Sequence, residues 1–140
     1  PDQIDYGIVN ATNVSSERVA NVTNFGNVRL NLSLEGYARN RSDGYAMNCS
    51  LGVIQNISIR HERYNLTVSN DSILNLATFE AQYLNLTNAS VIKTFGLNYR
   101  QDEGVNEAVN ATYWRIYVPA GVEGTCTGNI IFGATQAAGS

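Results

Sequence analysis

The strongest constraint on this chain is a period-two alternation of apolar and polar residues whose polar positions carry N-glycosylation acceptors. In VRLNLSLEG, residues 28–36, Val and Leu occupy one parity, while Asn31 and Ser33 occupy the other. This alternation is typical of a β-strand with one buried face. Asn31-Leu32-Ser33 is also an Asn-x-Ser/Thr acceptor, a motif that normally marks an exposed loop. The acceptor is therefore expected within a strand, on its solvent face.

The acceptor motif recurs along the whole chain. It occurs 12 times and uses 12 of the 18 asparagines, whereas random placement of the 20 serines and threonines would give roughly three. The acceptors are Asn10, Asn13, Asn21, Asn31, Asn40, Asn48, Asn56, Asn65, Asn70, Asn85, Asn88 and Asn110. In ten of them the middle residue is apolar or Cys, which in a strand would face the core. We therefore predict N-linked glycans on outward faces; the alternative is an Asn- and Thr-rich surface without glycan.

Further strand signals predict an all-β fold. Short alternating runs, separated by turn signals such as Asp43-Gly44, recur from residue 4 to residue 135. The clearest runs are residues 4–9, 18–24, 28–37, 91–99, 112–119 and 128–135. This pattern predicts a single antiparallel β-sandwich, jelly-roll or Ig-like, of about eight to nine strands.

One segment, SNDSILNLATFEAQYLNL, lacks the strand pattern. Possible helix caps lie at residues 69–72, and Leu74, Ala77, Ala81 and Leu84 follow at near-helical spacing. We expect a short helix or an irregular crossover there.

Composition excludes several classes of function. A chain of 140 residues with 44% apolar content is large enough for one core and is not a disordered tail. A net charge of −3 with nine Lys and Arg argues against nucleic-acid binding. No apolar run reaches the length of about 18 residues that a membrane span needs. Because the chain begins at Pro1, without Met or an apolar leader, we expect a mature, processed product.

Two cysteines, Cys49 and Cys126, lie 77 positions apart, and His61 is the single histidine. This set is too small for a metal site. In an extracellular setting, which the acceptor motifs indicate, a disulfide between them is expected; two buried free thiols are the alternative.

The sequence contains no recognisable catalytic motif. Gly-x-Ser-x-Gly, His-Glu-x-x-His and a phosphate-binding glycine loop do not occur. The acidic loop at residues 100–107 is interpreted as solvated in preference to a weak calcium site. We therefore expect no enzyme activity, no catalytic residue, no metal and no cofactor. The eight tyrosines and Trp114 leave a carbohydrate-stacking surface as an alternative to simple packing.

Two longer stretches carry a family resemblance. NVTNFGNVRLNLSLEGY at residues 21–37 and YWRIYVPAGVEGTCTGNIIFGAT at residues 113–135 resemble secreted archaeal surface β-domains. They also resemble the wider group of TasA-like biofilm fibre proteins and archaeal bundling pilins. The resemblance implies a sandwich subunit that polymerises by donating a terminal strand to its neighbour. It implies a heavily N-glycosylated extracellular filament or pilus on the cell surface, in which identical subunits are partners. A surface-layer component, a domain of an adhesin and a carbohydrate-binding module are the alternatives.

The N-terminus is the predicted donor. Residues 1–12 are expected to form the donor strand and residues 13–140 the sandwich domain. Ile4, Tyr6 and Ile8 alternate and would face the neighbour's core, with residues 10–16 as a polar connector. The C-terminal GNIIFGATQAA competes, but a disulfide at the nearby Cys126 would hold it within its own subunit.

Overall fold

The computed structural model describes residues 3–67, 72–98 and 108–137. These residues form ten strands and one short helix. The strands are β1 (Arg18–Asn24), β2 (Leu30–Tyr37), β3 (Tyr45–Gly52), β4 (Asn56–Ser58), β5 (Glu62–Asn65), β6 (Leu84–Asn85), β7 (Val91–Leu97), β8 (Ala108–Ile116), β9 (Val122–Thr127) and β10 (Asn129–Gln136). Helix α1 spans Leu76–Gln82, and a 3-10 turn, Ile59–His61, precedes β5. The predicted all-β fold is confirmed.

The strands pair antiparallel in three sheets. The strand orders are β1-β8-β5-β6, β10-β2-β7 and β4-β3-β9. The arrangement is sandwich-like but has more strands than the eight or nine expected. Strands β4 and β6 contain only three and two residues, and the two-residue β6 is too short to leave a periodic signal in a sequence.

The core centres on Trp114 of β8, whose side chain is fully buried. Its ring lies 5.0 Å from that of Tyr64 in the same sheet and 5.6 Å from that of Phe132 in the β10-β2-β7 sheet. The indole Nε1 donates to Thr112 Oγ1 (2.8 Å), and that hydroxyl donates to the Ala20 carbonyl (2.7 Å). Aromatic packing therefore connects two sheets without leaving the indole N–H unpaired.

The opposite face of β8 is covered by the crossover that contains α1. Arg115 is buried there, and its guanidinium donates to the carbonyls of Ser15 (3.1 Å) and Ser72 (2.8 Å) and to Tyr83 Oη (2.9 Å). A short helix lies in the predicted segment. Phe79 and Tyr83 are buried and their ring centroids lie 5.6 Å apart, whereas Ala77, Ala81 and Leu84, which follow a near-helical spacing in the sequence, are exposed.

Cys49 of β3 and Cys126 of β9 are register partners and form a disulfide, with their Cα atoms 4.0 Å apart. The bond joins two neighbouring strands that are distant in sequence, and so it closes a loop of 77 residues.

Removing this crosslink should destabilise the fold. Replacing Cys49→Ala and Cys126→Ala together should lower the free energy of unfolding by roughly 4 kcal/mol, because the unfolded chain regains the entropy of the long loop. Urea denaturation of the variant and of the wild type, each with and without reductant, measures this loss. A wild-type midpoint that reductant does not move would show that the disulfide contributes nothing to stability.

Candidate subunit-docking groove

The N-terminal segment, residues 3–11, lies against a groove in its own domain. Strands β3, β4, β5, β8, β9 and β10 contribute to the groove. Its apolar lining includes Met47, Ile57, Ile116, Val122, Ile130 and Phe132. A cavity of about 650 Å³ remains between the segment and these strands, so the segment does not fill the groove.

The N-terminal segment is not a strand, although residues 4–9 alternate in sequence. Backbone pairing with the domain begins at Thr12, whose N–H donates to the Val118 carbonyl (2.6 Å). The Ser15 N–H then donates to the Ile116 carbonyl (2.8 Å), and Val14 forms an isolated bridge with Tyr117. The connector is thus fixed along the end of β8, whereas the segment before it contacts the groove through side chains.

Tyr6 is the side chain that holds the N-terminal segment in the groove. It is buried in the core cluster, and its hydroxyl donates to Glu62 Oε2 at 2.6 Å. Burial, together with the charge and the hydrogen bond of Glu62, raises the pKa of Tyr6 well above its usual value. The phenol is therefore held as a hydrogen-bond donor throughout the physiological pH range.

Glu62 lies on the core face of β5, where an acidic residue is unusual. Register pairs Glu62 with Ile116 and Tyr64 with Trp114, so all four share this face. The side chain is 2% exposed, and burial raises the pKa of Glu62 to about 7, although the Tyr6 hydrogen bond lowers it. A buried carboxyl on an apolar face costs free energy unless it is hydrogen-bonded, and such groups concentrate at functional sites.

A bend at Gly7 breaks the alternation of the segment. Gly7 has φ of +72°, which is a left-handed conformation that glycine adopts easily, and its N–H donates to Asp5 Oδ1 (2.8 Å). Within one subunit Ile4 is half-buried, Tyr6 is buried and Ile8 is 100% exposed. The prediction that these three residues face a neighbour's core concerns a contact between subunits, and it stays a prediction.

The acceptor asparagines lie on the accessible surface. Eleven of the 12 are in the described residues and none of these is buried; Asn70 lies outside the described residues. The exposed acceptors are Asn10, Asn13, Asn21, Asn40, Asn85, Asn88 and Asn110, and the half-buried ones are Asn31, Asn48, Asn56 and Asn65. Middle residues Leu32, Ile57 and Leu86 are buried, while Ala11 and Ala89 are exposed in loops. Strand alternation therefore accounts for the sites at Asn31, Asn48 and Asn56, whose middle residues are buried. It does not account for the site at Asn110 in β8, where Thr112 is the fully buried residue and Ala111 is half-buried.

The side-chain amides of the acceptors Asn31 and Asn48 form different hydrogen bonds. Asn31 Oδ1 accepts from the N–H groups of Phe95 (2.9 Å) and Gly96 (3.0 Å), which does not involve the nitrogen that would carry a glycan. The Asn48 amide is satisfied by its surroundings in the orientation in which Nδ2 donates to the Gln55 carbonyl (3.3 Å) and Asn56 Oδ1 (3.2 Å) while Oδ1 accepts from Arg39 Nη2 (2.8 Å). A glycan on Asn48 would compete with these hydrogen bonds.

No other cluster in the described residues suggests a catalytic or metal site. Three or more metal-ligating side chains do not converge anywhere in residues 3–67, 72–98 and 108–137, and no helix there is long and apolar enough to cross a membrane. The acidic residues Asp102, Glu103 and Glu107 lie outside the described ranges.

The chain matches no protein-family model, no curated protein and no solved structure. Its function must therefore be inferred from the groove and the acceptor surface.

Titration of Glu62 should make stability depend on pH. Because the pKa of Glu62 is about 7 in the folded state and near 4.5 in the unfolded state, the folded state binds more protons between these values. The free energy of unfolding should therefore fall as pH rises from about 5 to about 8, by on the order of 3 kcal/mol. Urea denaturation across this range measures the fall.

Glu62→Gln should remove most of this dependence, whereas Glu123→Gln on the exposed part of β9 should keep it. His61, whose pKa burial lowers, acts with the opposite sign, and the comparison of variants cancels its contribution. An unchanged slope in Glu62→Gln would contradict the assignment.

The acceptor geometry predicts an uneven glycan pattern. Most of the exposed acceptors should be occupied, whereas Asn48 should stay largely unmodified because its amide and the neighbouring Cys49 are both constrained. Site-resolved glycopeptide mass spectrometry of native material measures this, and Asn56, which pairs with Asn48 across the strands, is the matched internal control. High occupancy at Asn48, or occupancy of fewer than half of all acceptors, would contradict the prediction.

Proposed function

We propose that the chain is a heavily N-glycosylated structural subunit of an extracellular archaeal filament, in which each subunit inserts its N-terminal segment into the groove of the next. The observation that carries this proposal is the state of the segment within one subunit. Tyr6 is seated in the groove, but the segment forms no strand and leaves Ile8 in water.

An extended segment from a neighbour would use the same groove more completely. In a straight strand, alternate residues share one face, so Ile4, Tyr6 and Ile8 would all point at the groove. Burying Ile8 would contribute about 1.5–3 kcal/mol, and the segment's backbone would gain hydrogen-bonding partners. Insertion between subunits therefore offers contacts that insertion within one subunit lacks.

The groove has open sheet edges to receive such a strand. Strand β10 is at one edge of its sheet, β9 is at one edge of another, and both line the groove. Unpaired edges are templates for an added strand, the mode of recognition called β-augmentation. The disulfide to β3 fixes β9, which is favourable for a receiving wall. Because donor and receiver are different surfaces, the contact is heterologous and propagates into an open fibre.

The acceptor surface fits an exposed polymer. Glycans on outward positions would cover the faces of the sheets and hinder lateral pairing between filaments. They would also restrict access for proteases, which suits a structure that persists outside the cell. In this proposal the glycans and the neighbouring subunits are the partners of the chain, and no step requires catalysis.

Ile8 gives the sharpest test of donation. Ile8 and Ile73 are both 100% exposed in the subunit, so Ile8→Asp and Ile73→Asp should each change the free energy of unfolding by less than about 0.5 kcal/mol. Only Ile8→Asp should prevent polymerisation, because only Ile8 would enter a neighbour's core. Electron microscopy and sedimentation of glycosylated protein from the native host measure filament formation.

Deleting residues 1–10 should have the same effect as Ile8→Asp. Normal filaments from either variant would rule out donation by the N-terminus. A two-dimensional lattice from the wild type would favour a surface-layer component, and a soluble monomer that binds oligosaccharide would favour a binding module.

A further inference from the structure

We propose that the Glu62 carboxyl is a specificity determinant of the groove, which accepts a hydrogen bond from the Tyr6 hydroxyl of a second copy of this chain and disfavours segments without that hydroxyl. The inference rests on the proposed function, since it names the feature by which the groove recognises its donor. It adds a chemical requirement, a phenol at one position of the bound segment. Shape and apolar contacts alone would let the groove bind many hydrophobic segments.

The surroundings of Glu62 support this role. The apolar lining of the groove supplies contacts that any hydrophobic segment could make. Glu62, in contrast, offers a buried acceptor at hydrogen-bond distance from one atom of the segment, Tyr6 Oη (2.6 Å). A binding segment with Phe at this position would leave the carboxyl buried without that partner. Sites built to hydrogen-bond a hydroxyl reject analogues that lack it for this reason.

The neighbouring charges do not replace the Tyr6 hydroxyl. Arg63 and Arg115 are register partners on the opposite face of the sheet, away from Glu62. In the described residues the ion pairs are Arg41 with Glu35 and Arg63 with Glu80, so neither includes Glu62. The tyrosine hydroxyl is consequently the group that the groove is arranged to receive.

The position of this hydrogen bond also explains how one groove can hold either segment. Tyr6 forms it from a bent segment within the subunit, where Gly7 turns the chain and Ile8, although beside the groove, is 100% exposed. A straight segment from a neighbour would place its own Tyr6 at the same carboxyl and add Ile8. The same recognition contact is thereby kept when the neighbour's segment replaces the subunit's own, as in domain swapping.

Peptide competition on the full-length chain tests the inference. A synthetic peptide of residues 3–12 should block filament growth by occupying the groove, and the same peptide with Tyr6→Phe should need at least about a tenfold higher concentration for half-inhibition. Against the Glu62→Leu chain, whose groove lacks the buried acceptor, the preference for tyrosine should disappear. Light scattering and electron microscopy measure filament growth, and circular dichroism verifies that the variant is folded.

The outcomes separate this inference from the proposed function. Equal inhibition by the two peptides on the wild-type chain would overturn the role of Glu62 while leaving N-terminal donation intact. A tyrosine preference that persists in folded Glu62→Leu would overturn it as well. Inhibition by neither peptide would overturn both the recognition and the donation. If Glu62→Leu does not fold, the comparison of the two peptides on the wild-type chain decides alone.

Discussion

Burial of β8 on both faces is the interaction on which the rest of the structure depends. Trp114 fills the core on one face, and Arg115 is buried under the crossover on the other. Two of the partners of the guanidinium are backbone carbonyls, at Ser15 and Ser72, which fixes both the N-terminal connector and the crossover against this strand. Because the connector is held along the end of β8, the preceding N-terminal segment necessarily starts beside the groove.

The dual use of strand positions explains how a small domain can carry so many acceptors. An Asn-x-Ser/Thr motif needs two accessible residues two positions apart, and a strand supplies that spacing on one face without disturbing the other. At Leu32, Cys49 and Ile57 the middle residue of a strand acceptor is buried, so each of these motifs contributes to the core as well as to the surface. Acceptor density and core formation are therefore compatible in a β-protein, whereas they would compete along an irregular chain.

Local patterns predicted much of the fold, and the failures have physical reasons. Alternation located β1 and β2 because each is long, and the run at residues 112–119 overlaps the second half of β8, which is buried on both faces. A short helix or crossover was predicted, but helical spacing did not single out Phe79 and Tyr83 as the buried residues; Phe79 packs on Tyr83, and Tyr83 accepts a hydrogen bond from Arg115 of β8. Periodicity describes one segment at a time, so it does not determine which side of a helix meets the rest of the domain.

The candidate site was only partly predictable. The two cysteines were expected to pair, and they do. Ile4, Tyr6 and Ile8 were predicted to enter a neighbour's core, which a single subunit does not test. Glu62 was missed because its partner, Tyr6, is 56 positions away, and a single acidic residue within a strand pattern gives no sign of such a contact. The one local signal was that Glu62 shares parity with Tyr64, which indicates a core-facing position for an acid.

The conformation of Gly7 explains how Tyr6 can be buried in the groove while Ile8, two residues later, is exposed. The left-handed backbone of Gly7 is strained for a residue that has a side chain, and a Cβ atom added here would lie 3.2 Å from Arg18 Nη2. The bend within the subunit therefore depends on glycine. An extended segment has no such requirement. Glycine therefore permits Tyr6 to cover part of the subunit's own groove while the side chain of Ile8 remains exposed to solvent. In the proposed assembly, this partial self-occupation would limit exposure of the apolar groove before a neighbour arrives. It would remain weaker than insertion by the neighbour, because the bent segment forms fewer contacts than a straight one. In the proposed polymer, Gly7 would then set the balance between the two states, because it lies between Tyr6, which would be buried in both, and Ile8, which would be buried only between subunits.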